Sequence, residues 1–379
     1  MSIAHDARPS APGPTPRTPG RPGTPRSARQ RRRRRTGLLG LLLVAALCLL
    51  VVLSGAIGAV EVSAGQSARI VAGHLLPGMP WMHDGSLTAL QDQAVWQFRL
   101  PRALLAGLSG AGLALAGALM QVTVRNPLAE PYILGVSSGA GVGAVLVIVL
   151  GSAALGGLSL HVAAFVGALL ACLAVVVLAR RDGVLSPTRM ILAGVALGSL
   201  LSAVTSYLTL TSEAQNVVGV MFFLLGSVSA ATMGQLVAPA AALAIACLAA
   251  ALLARPLNAL MTGDDSAAAL GVDAQRMRGV LLVLSSLLTG TVVAVAGGIG
   301  FVGLVVPHVA RMLVGADHRR MLPVTVLGGA VFLMAADLLA RTVARPTEVP
   351  LGILTAVVGA PFFLWLMRRG GAERAGYGR

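Results

Sequence analysis

The chain has 379 residues, 56% of them hydrophobic and only 11% charged, with a mean hydropathy of +0.83. A soluble domain is nearer half apolar and a quarter charged, so this composition excludes an ordinary soluble enzyme and identifies a polytopic membrane protein. The net charge is +15 and the chain contains no lysine, which also excludes a nucleotide-binding P-loop of the form GxxxxGK[ST].

Residues 1–36 carry ten arginines against one acid, Asp6, with abundant Pro, Ser and Thr and no apolar periodicity. That composition predicts a disordered tail. The run RQRRRRR (29–35) suits nucleic acid or anionic lipid. The apolar stretch TGLLGLLLVAALCLLVVLSGAIGAV follows directly, which favours the topological reading: the tail lies on the cytoplasmic side against membrane lipid, and nucleic acid is not expected as a partner. The stretch is about 24 residues long, more than the ~7–15 of a signal-peptide core, so it reads as a retained span rather than a cleaved leader.

A crossing needs about 20 apolar residues. Ten segments qualify in chain order, at roughly 37–60, 101–122, 133–153, 159–179, 190–210, 234–254, 279–297, 300–315, 322–342 and 350–368. The expected fold class is therefore all-α, with about ten transmembrane helices in a domain spanning 37–369 and a C-terminal tail at 370–379. The apolar run 217–231 is too short for a further crossing and reads as a partial helix on the outer side. With the N-terminus inside, cytoplasmic segments hold 24 arginines and outer segments hold five: Arg69, Arg99, Arg102, Arg341 and Arg345. This is the asymmetry of the positive-inside rule. Cys48, Cys172 and Cys247 all fall in apolar segments and read as buried small hydrophobes. The histidines lie apart, and no metal-ligand spacing appears.

Segments 113–127 and 293–307 share five residues in register, 180 positions apart. A duplicated transporter half would produce this echo, and so would chance composition. The segment RNPLAEPYILGVSSGAGVGAV (125–145) opens with two X-Pro breaks, which predict a fixed, non-helical corner. Ser137, Ser138 and the glycines after them then begin a helix of little bulk, suited to close packing or to lining a wide path. Asp337 is the one acid well inside a span. Arg341 stands four residues on and shares its helix face, so a local ion pair is favoured over a proton or sodium site. The inner loop 255–278 holds a helix-prone stretch, Ala267 to Leu270, with Gly271 as its stop, and reads as a docking surface.

Taken together, RLPR (99–102), GALMQ (117–121), the 125–145 segment, ILAGVALGSL (191–200), GGIGFVGLVVPHVARMLVGADHRRMLP (297–323) and ADLLARTVARPTEVPLGILTAVVGAPFFLWLM (336–367) resemble the FecCD family. Its members are permease subunits of ABC importers for ferric siderophores, haem and cobalamin. The resemblance runs from about 36 to 367 and implies a ten-helix permease without an enzymatic site. It implies that Arg99, Arg102 and Arg341 receive acidic side chains of an extracytoplasmic substrate-binding protein, with snorkelling at the interface as the alternative. Asn126 and Leu128, with Ser186 and Thr188 around Pro187, match the cytoplasmic constriction, and Ser137 and Ser138 match the path. Ala268, Leu270, Gly271 and Val272 fall in a pair of coupling helices that insert into the ATPase, with Gly271 permitting the turn between them. The implied partners are an ABC ATPase dimer that holds the ATP, a second permease subunit that is a copy or a paralogue, and the binding protein. If the arginine-for-lysine usage marks a G+C-rich, actinobacterial genome, that binding protein is a lipoprotein. No cofactor or metal is expected on this subunit. The expected cargo is a ferric siderophore, with haem or cobalamin next, across a bacterial plasma membrane with both termini inside. A proton-coupled secondary carrier using Asp337 is the competing reading.

Overall fold

The computed structural model describes residues 25–376 apart from 77, 182 and 183; the expected disordered tail lies outside them as far as residue 24. Fifteen helices follow in chain order among the described residues: α1 (Pro25–Ala56), α2 (Ala64–Leu75), α3 (Ala89–Gln93), α4 (Leu100–Thr123), α5 (Val136–Leu150), α6 (Leu160–Ala179), α7 (Pro187–Leu210), α8 (Ala214–Leu225), α9 (Val237–Leu252), α10 (Ala254–Leu260), α11 (Asp264–Ala269), α12 (Ala274–Ala296), α13 (Val302–Val314), α14 (His318–Ala340) and α15 (Leu351–Gly376). A short antiparallel ribbon, β1 (Arg180–Arg181) with β2 (Val184–Leu185), joins α6 to α7. Helix α1 begins at Pro25, so residues 25–36 are helical and continue into the first span.

Seven helices among the described residues are long and apolar enough to cross a membrane. The shorter α5 and α13 and the apolar part of α15, Leu351–Leu366, account for the remaining expected crossings, and α8 is the partial helix at 214–225. Helix α4 is the hub. Nearly its whole length is buried, among α1, α9, α12, α13 and α14. Its sequence explains why. Lipid gives apolar helices no hydrophobic reason to associate, so packing depends on close backbone approach at small residues. Gly110 meets Gly329 of α14, and Gly117 meets Gly303 of α13; a methyl on Gly110, Gly329 or Gly117 would strike the partner's backbone, and one on Gly303 would crowd Pro131 and the Leu113 carbonyl. Helix α7, by contrast, buries only a narrow strip marked by Met190, Gly194 and Thr205.

At about 1.5 Å per residue, α5 and α13 are roughly 22 and 20 Å long, short of the ~30 Å hydrocarbon core. Each follows a break in the α-helical path, at 124–135 and 297–301; the first starts at the surface and runs inward through a short 3-10 turn, Pro131–Leu134. Helices α4 and α12 run antiparallel: Ser285 Oγ donates to the Ala116 carbonyl, while Val292 lies against Gly112. The order long helix, break, half helix, long helix thus occurs twice with opposite direction, in α4–α6 and again in α12–α14. The echo noted in the sequence does not mark this repeat, because Gly117 lies within α4 whereas Gly297 terminates α12.

The cysteines correct one expectation. Cys172 is buried with its Sγ 2.8 Å from Ser286 Oγ, but Cys247 is half-buried and Cys48 is exposed. Cys48 sits on α1, which lies at the rim and turns most of its surface away from the bundle.

Replacing Gly110 by leucine is expected to force α4 and α14 apart, costing about 1–3 kcal/mol or more. Gly37→Leu, at a position with open space around it, serves as the control. Thermal unfolding in detergent should fall clearly for the first variant and stay near wild type for the second.

Candidate functional site

Three assemblies of polar residues lie along the bundle: one at the end where α4 begins, one at the level of the two helix breaks, and one at the end where α4 finishes.

At the first end, a π-helical turn, Ala94–Arg99, leads from α3 into α4 and delivers Arg99 inward. Arg99 donates to the carbonyls of Gly55 (2.7 Å), Ala56 (3.3 Å) and Val60 (2.6 Å). It therefore satisfies carbonyls left open where α1 ends, where a cation is also favoured by the helix dipole. Arg102 pairs with Asp337 at 2.9 Å and with Glu348 at 2.7 Å. Arg341 lies 3.1 Å from the second Asp337 oxygen and donates to the Ser54 carbonyl at 3.3 Å. The Asp337 side chain is 1% exposed; its Oδ1 accepts from Arg102, while its Oδ2 stands beside Arg341 as an ion pair without a hydrogen bond. The Asp337–Arg341 pair expected from their spacing is present; Arg102, from another helix, is the partner that spacing alone could not reveal.

The structure therefore brings Arg99, Arg102 and Arg341 together, but their guanidinium groups face the chain's own acceptors. With Arg345 and Glu348 they line a cavity of about 660 Å³. Four arginines against Glu348 and the enclosed Asp337 leave its lining net positive. Arg345 is the exposed arginine of this group.

At the middle level, the two breaks satisfy each other. Tyr132 donates its hydroxyl to the Ile299 carbonyl and accepts from the Ile299 amide, both at 3.0 Å. Glu130 accepts from the amide of Phe301, the residue that opens α13, at 2.6 Å. Ser137 and Ser138 sit at the start of α5, half-buried. Ser138 Oγ is 3.2 Å from Ser202 Oγ of α7, and Ser137 lies beside Gly298. Ser138 thus faces α7, and Ser137 faces the break before α13. Glu130 and Tyr132 were not singled out in the sequence, although the acid before Pro131 was visible.

At the second end, Asn126 uses its side-chain oxygen to accept from the Leu128 amide at 2.9 Å, which fixes the corner that begins at Arg125. Leu128 is 40% exposed. Ser186 takes the N-cap position of α7 without a side-chain hydrogen bond, and Thr188 is exposed in the first turn. Pro187 is the first residue of α7, where its missing N–H costs nothing.

The loop 255–278 forms the short helices α10 and α11. The turn between them is made at Gly263 (φ +114°); Gly271 (φ +76°) instead follows α11 and terminates it. The expectation for Gly271 is corrected accordingly: it is the helix stop, with the Val272 amide returning to the Ala267 carbonyl at 2.9 Å. Ala267 is fully buried against α10 and α12, while Ala268 and Leu270 are exposed. Asp264, at the start of α11, accepts from Arg278 of α12 at 2.8 Å and lies 3.4 Å from Arg125.

The model of the FecCD transport family matches residues 43–369. The cobalamin import system permease protein BtuC of Halobacterium salinarum is 40% identical over 335 residues, covering 85% of this chain and 88% of that one. The hemin transport system permease protein HmuU of Yersinia pestis is 42% identical over 292 residues, covering 75% and 87%. Among solved structures, an inward-facing metal-chelate type ABC transporter superposes with a TM-score of 0.74 at 32% identity, covering 88% of this chain and 99% of that chain.

Removing the carboxylate in Asp337→Ala leaves the buried Arg341 without its counter-ion, while Arg102 keeps Glu348, and is expected to cost about 3–5 kcal/mol, the range for breaking a buried ion pair from one side. Adding Arg341→Met removes that stranded charge, so the double variant should recover part of the loss. Chemical unfolding in detergent measures both.

Proposed function

The chain belongs to the FecCD transport family and is a membrane-spanning permease of an ABC importer, and from that premise we propose how its two ends work. The arginine-lined cavity faces outward and docks a substrate-binding protein. The end carrying α10 and α11 faces the cytoplasm and docks an ABC ATPase, which holds and hydrolyses the ATP. Two permease subunits form the path between them, with Ser137 and Ser138 along it and Asn126, Leu128, Ser186 and Thr188 at the cytoplasmic closure. The chain itself holds no cofactor.

One observation carries this reading. Leu270 is 69% exposed directly beside the fully buried Ala267, so α11 is anchored on one side and presents an apolar edge on the other. A short helix of this kind fits a groove on a partner and passes that partner's motion to the spans it is anchored on. Ala268, Leu270, Gly271 and Val272 form that edge and its stop.

The docking role of Arg99, Arg102 and Arg341 follows from the net charge of their cavity rather than from free guanidinium groups. A carboxylate arriving from a partner is steered by the surplus positive charge and competes with Glu348 for Arg102. The cargo is a metal chelate. A ferric siderophore is the first to test, and the cobalamin and hemin relatives favour those two compounds as the second reading.

Cells with and without the gene should be offered labelled ferric hydroxamate siderophore, haem and cobalamin. One of the three should lose ATP-dependent uptake when the gene is absent; gene-dependent uptake that survives ATP depletion would point to a secondary carrier instead. Leu270→Asp should cut co-purification of the ATPase by about tenfold, as for a central apolar anchor. Glu348→Gln should act in the opposite sense at the other end, tightening the binding protein by up to about fivefold and steepening its salt dependence; unchanged binding would argue against the cavity as the docking site.

A further inference from the structure

Resting on the permease reading, we propose that Asp264 is the positioning residue that links the ATPase-docking helix to the closure of the path. Its carboxylate holds two arginines from different elements. Arg278 of α12 is the tight partner: its side chain is 3% exposed, it meets Asp264 at 2.8 Å, and its Nε donates to the carbonyl of Thr123, the last residue of α4, at 3.3 Å. Arg125 is the loose partner, at 3.4 Å with a side chain 38% exposed.

The two arms do different things. A buried guanidinium cannot be left without its carboxylate, so α11, the first turn of α12 and the end of α4 move as one body. The half-exposed Arg125 pair is weak by comparison and can form and break within a cycle. Arg125 is also one of two non-glycine residues with positive φ among the described residues, at +50°. An L-residue in that region persists only where its surroundings hold it. Its amide is tied to the Val122 carbonyl, and Asp264 ties its side chain. The next residue is Asn126, whose side chain fixes the Leu128 amide and so sets the corner.

A displacement of α11 by the ATPase therefore arrives, through one carboxylate, at a strained residue directly before the corner. With Asp264 in place, Arg125 is held left-handed and the corner keeps the form it has in this structure. When α11 moves, Arg125 is released toward the ordinary right-handed region and the corner turns with it. This gives two discrete arrangements of a short segment, biased by a partner that does not touch it.

The test uses the complete transporter in liposomes, with labelled cobalamin, haem and ferric hydroxamate siderophore supplied in parallel. ATP hydrolysis and uptake are measured on the same vesicles, and amide hydrogen exchange over 124–130 is followed with and without a non-hydrolysable ATP analogue. In Asp264→Asn, chelate imported per ATP should fall about tenfold, within the range of coupling between sites, and the nucleotide response of 124–130 should disappear. Arg125→Gln leaves the buried Arg278 pair intact and should reproduce the uncoupling even if Asp264→Asn folds poorly. The inference is overturned if either variant assembles and imports at the wild-type ratio, if hydrolysis and uptake fall in proportion, or if 124–130 still responds to nucleotide. Wild-type vesicles that take up none of the three compounds with ATP would overturn the metal-chelate cargo reading, separately from the clamp, which the nucleotide response of 124–130 still tests.

Discussion

Every backbone N–H and C=O inside a bilayer must find a partner within the protein, and two helices of this chain, α5 and α13, are too short to cross it alone. Helices α5 and α13 each begin inside the bundle, where a helix start leaves amides without intrahelical acceptors. The breaks solve this jointly. Tyr132 bridges both polar groups of Ile299, Glu130 takes the Phe301 amide, the Gly298 amide reaches the Phe223 carbonyl, and Ser227 reaches Ala296. Neither break is tolerable alone. The tight glycine contacts of α4 with α13 and α14, and the seating of α8 beside 297–298, are conditions for closing this polar junction within hydrocarbon.

Charge is distributed on the same logic. Near one end a carboxylate with 1% exposure sits between two arginines, tying α4 to α14. Near the other end Asp264 is 40% exposed and divides itself between a buried and a half-exposed arginine. The first arrangement is rigid, because any separation leaves an unpaired buried charge. The second has one arm that water can replace. A transporter needs both kinds: fixed frames that keep helices in register, and contacts that exchange partners without unfolding.

Much of the fold was legible because hydrophobic runs report spans directly: all ten expected segments contain a helix, and 217–231 contains the partial one. Legibility failed where distance along the chain hides proximity. Asp337 and Arg341 are four residues apart and could be paired on paper; Arg102 is 235 positions from Asp337 and could not. The same holds for Asp264 with Arg125, and for Glu130 with Phe301. Gly271 was visible as a stop, yet Gly263 was the residue that turns the chain between α10 and α11: both glycines take positive φ, and composition does not say which of them lies between the two helices. The inward posture of Arg99 was equally hidden, because its acceptors are backbone carbonyls, which leave no trace in a sequence.

The narrow buried strip of α7 has a consequence for how such a protein diversifies. Only Met190, Gly194 and Thr205 of that helix are buried, while Leu192, Leu200 and Tyr207 stay 60–67% exposed. Side chains on that open flank answer to whatever lies against it, lipid or a neighbouring subunit, and hardly at all to the hub around α4. After a gene duplication the flank can therefore drift toward a new companion while the interior stays unchanged, so the choice between pairing with itself and pairing with a sister chain is separable from the ability to fold.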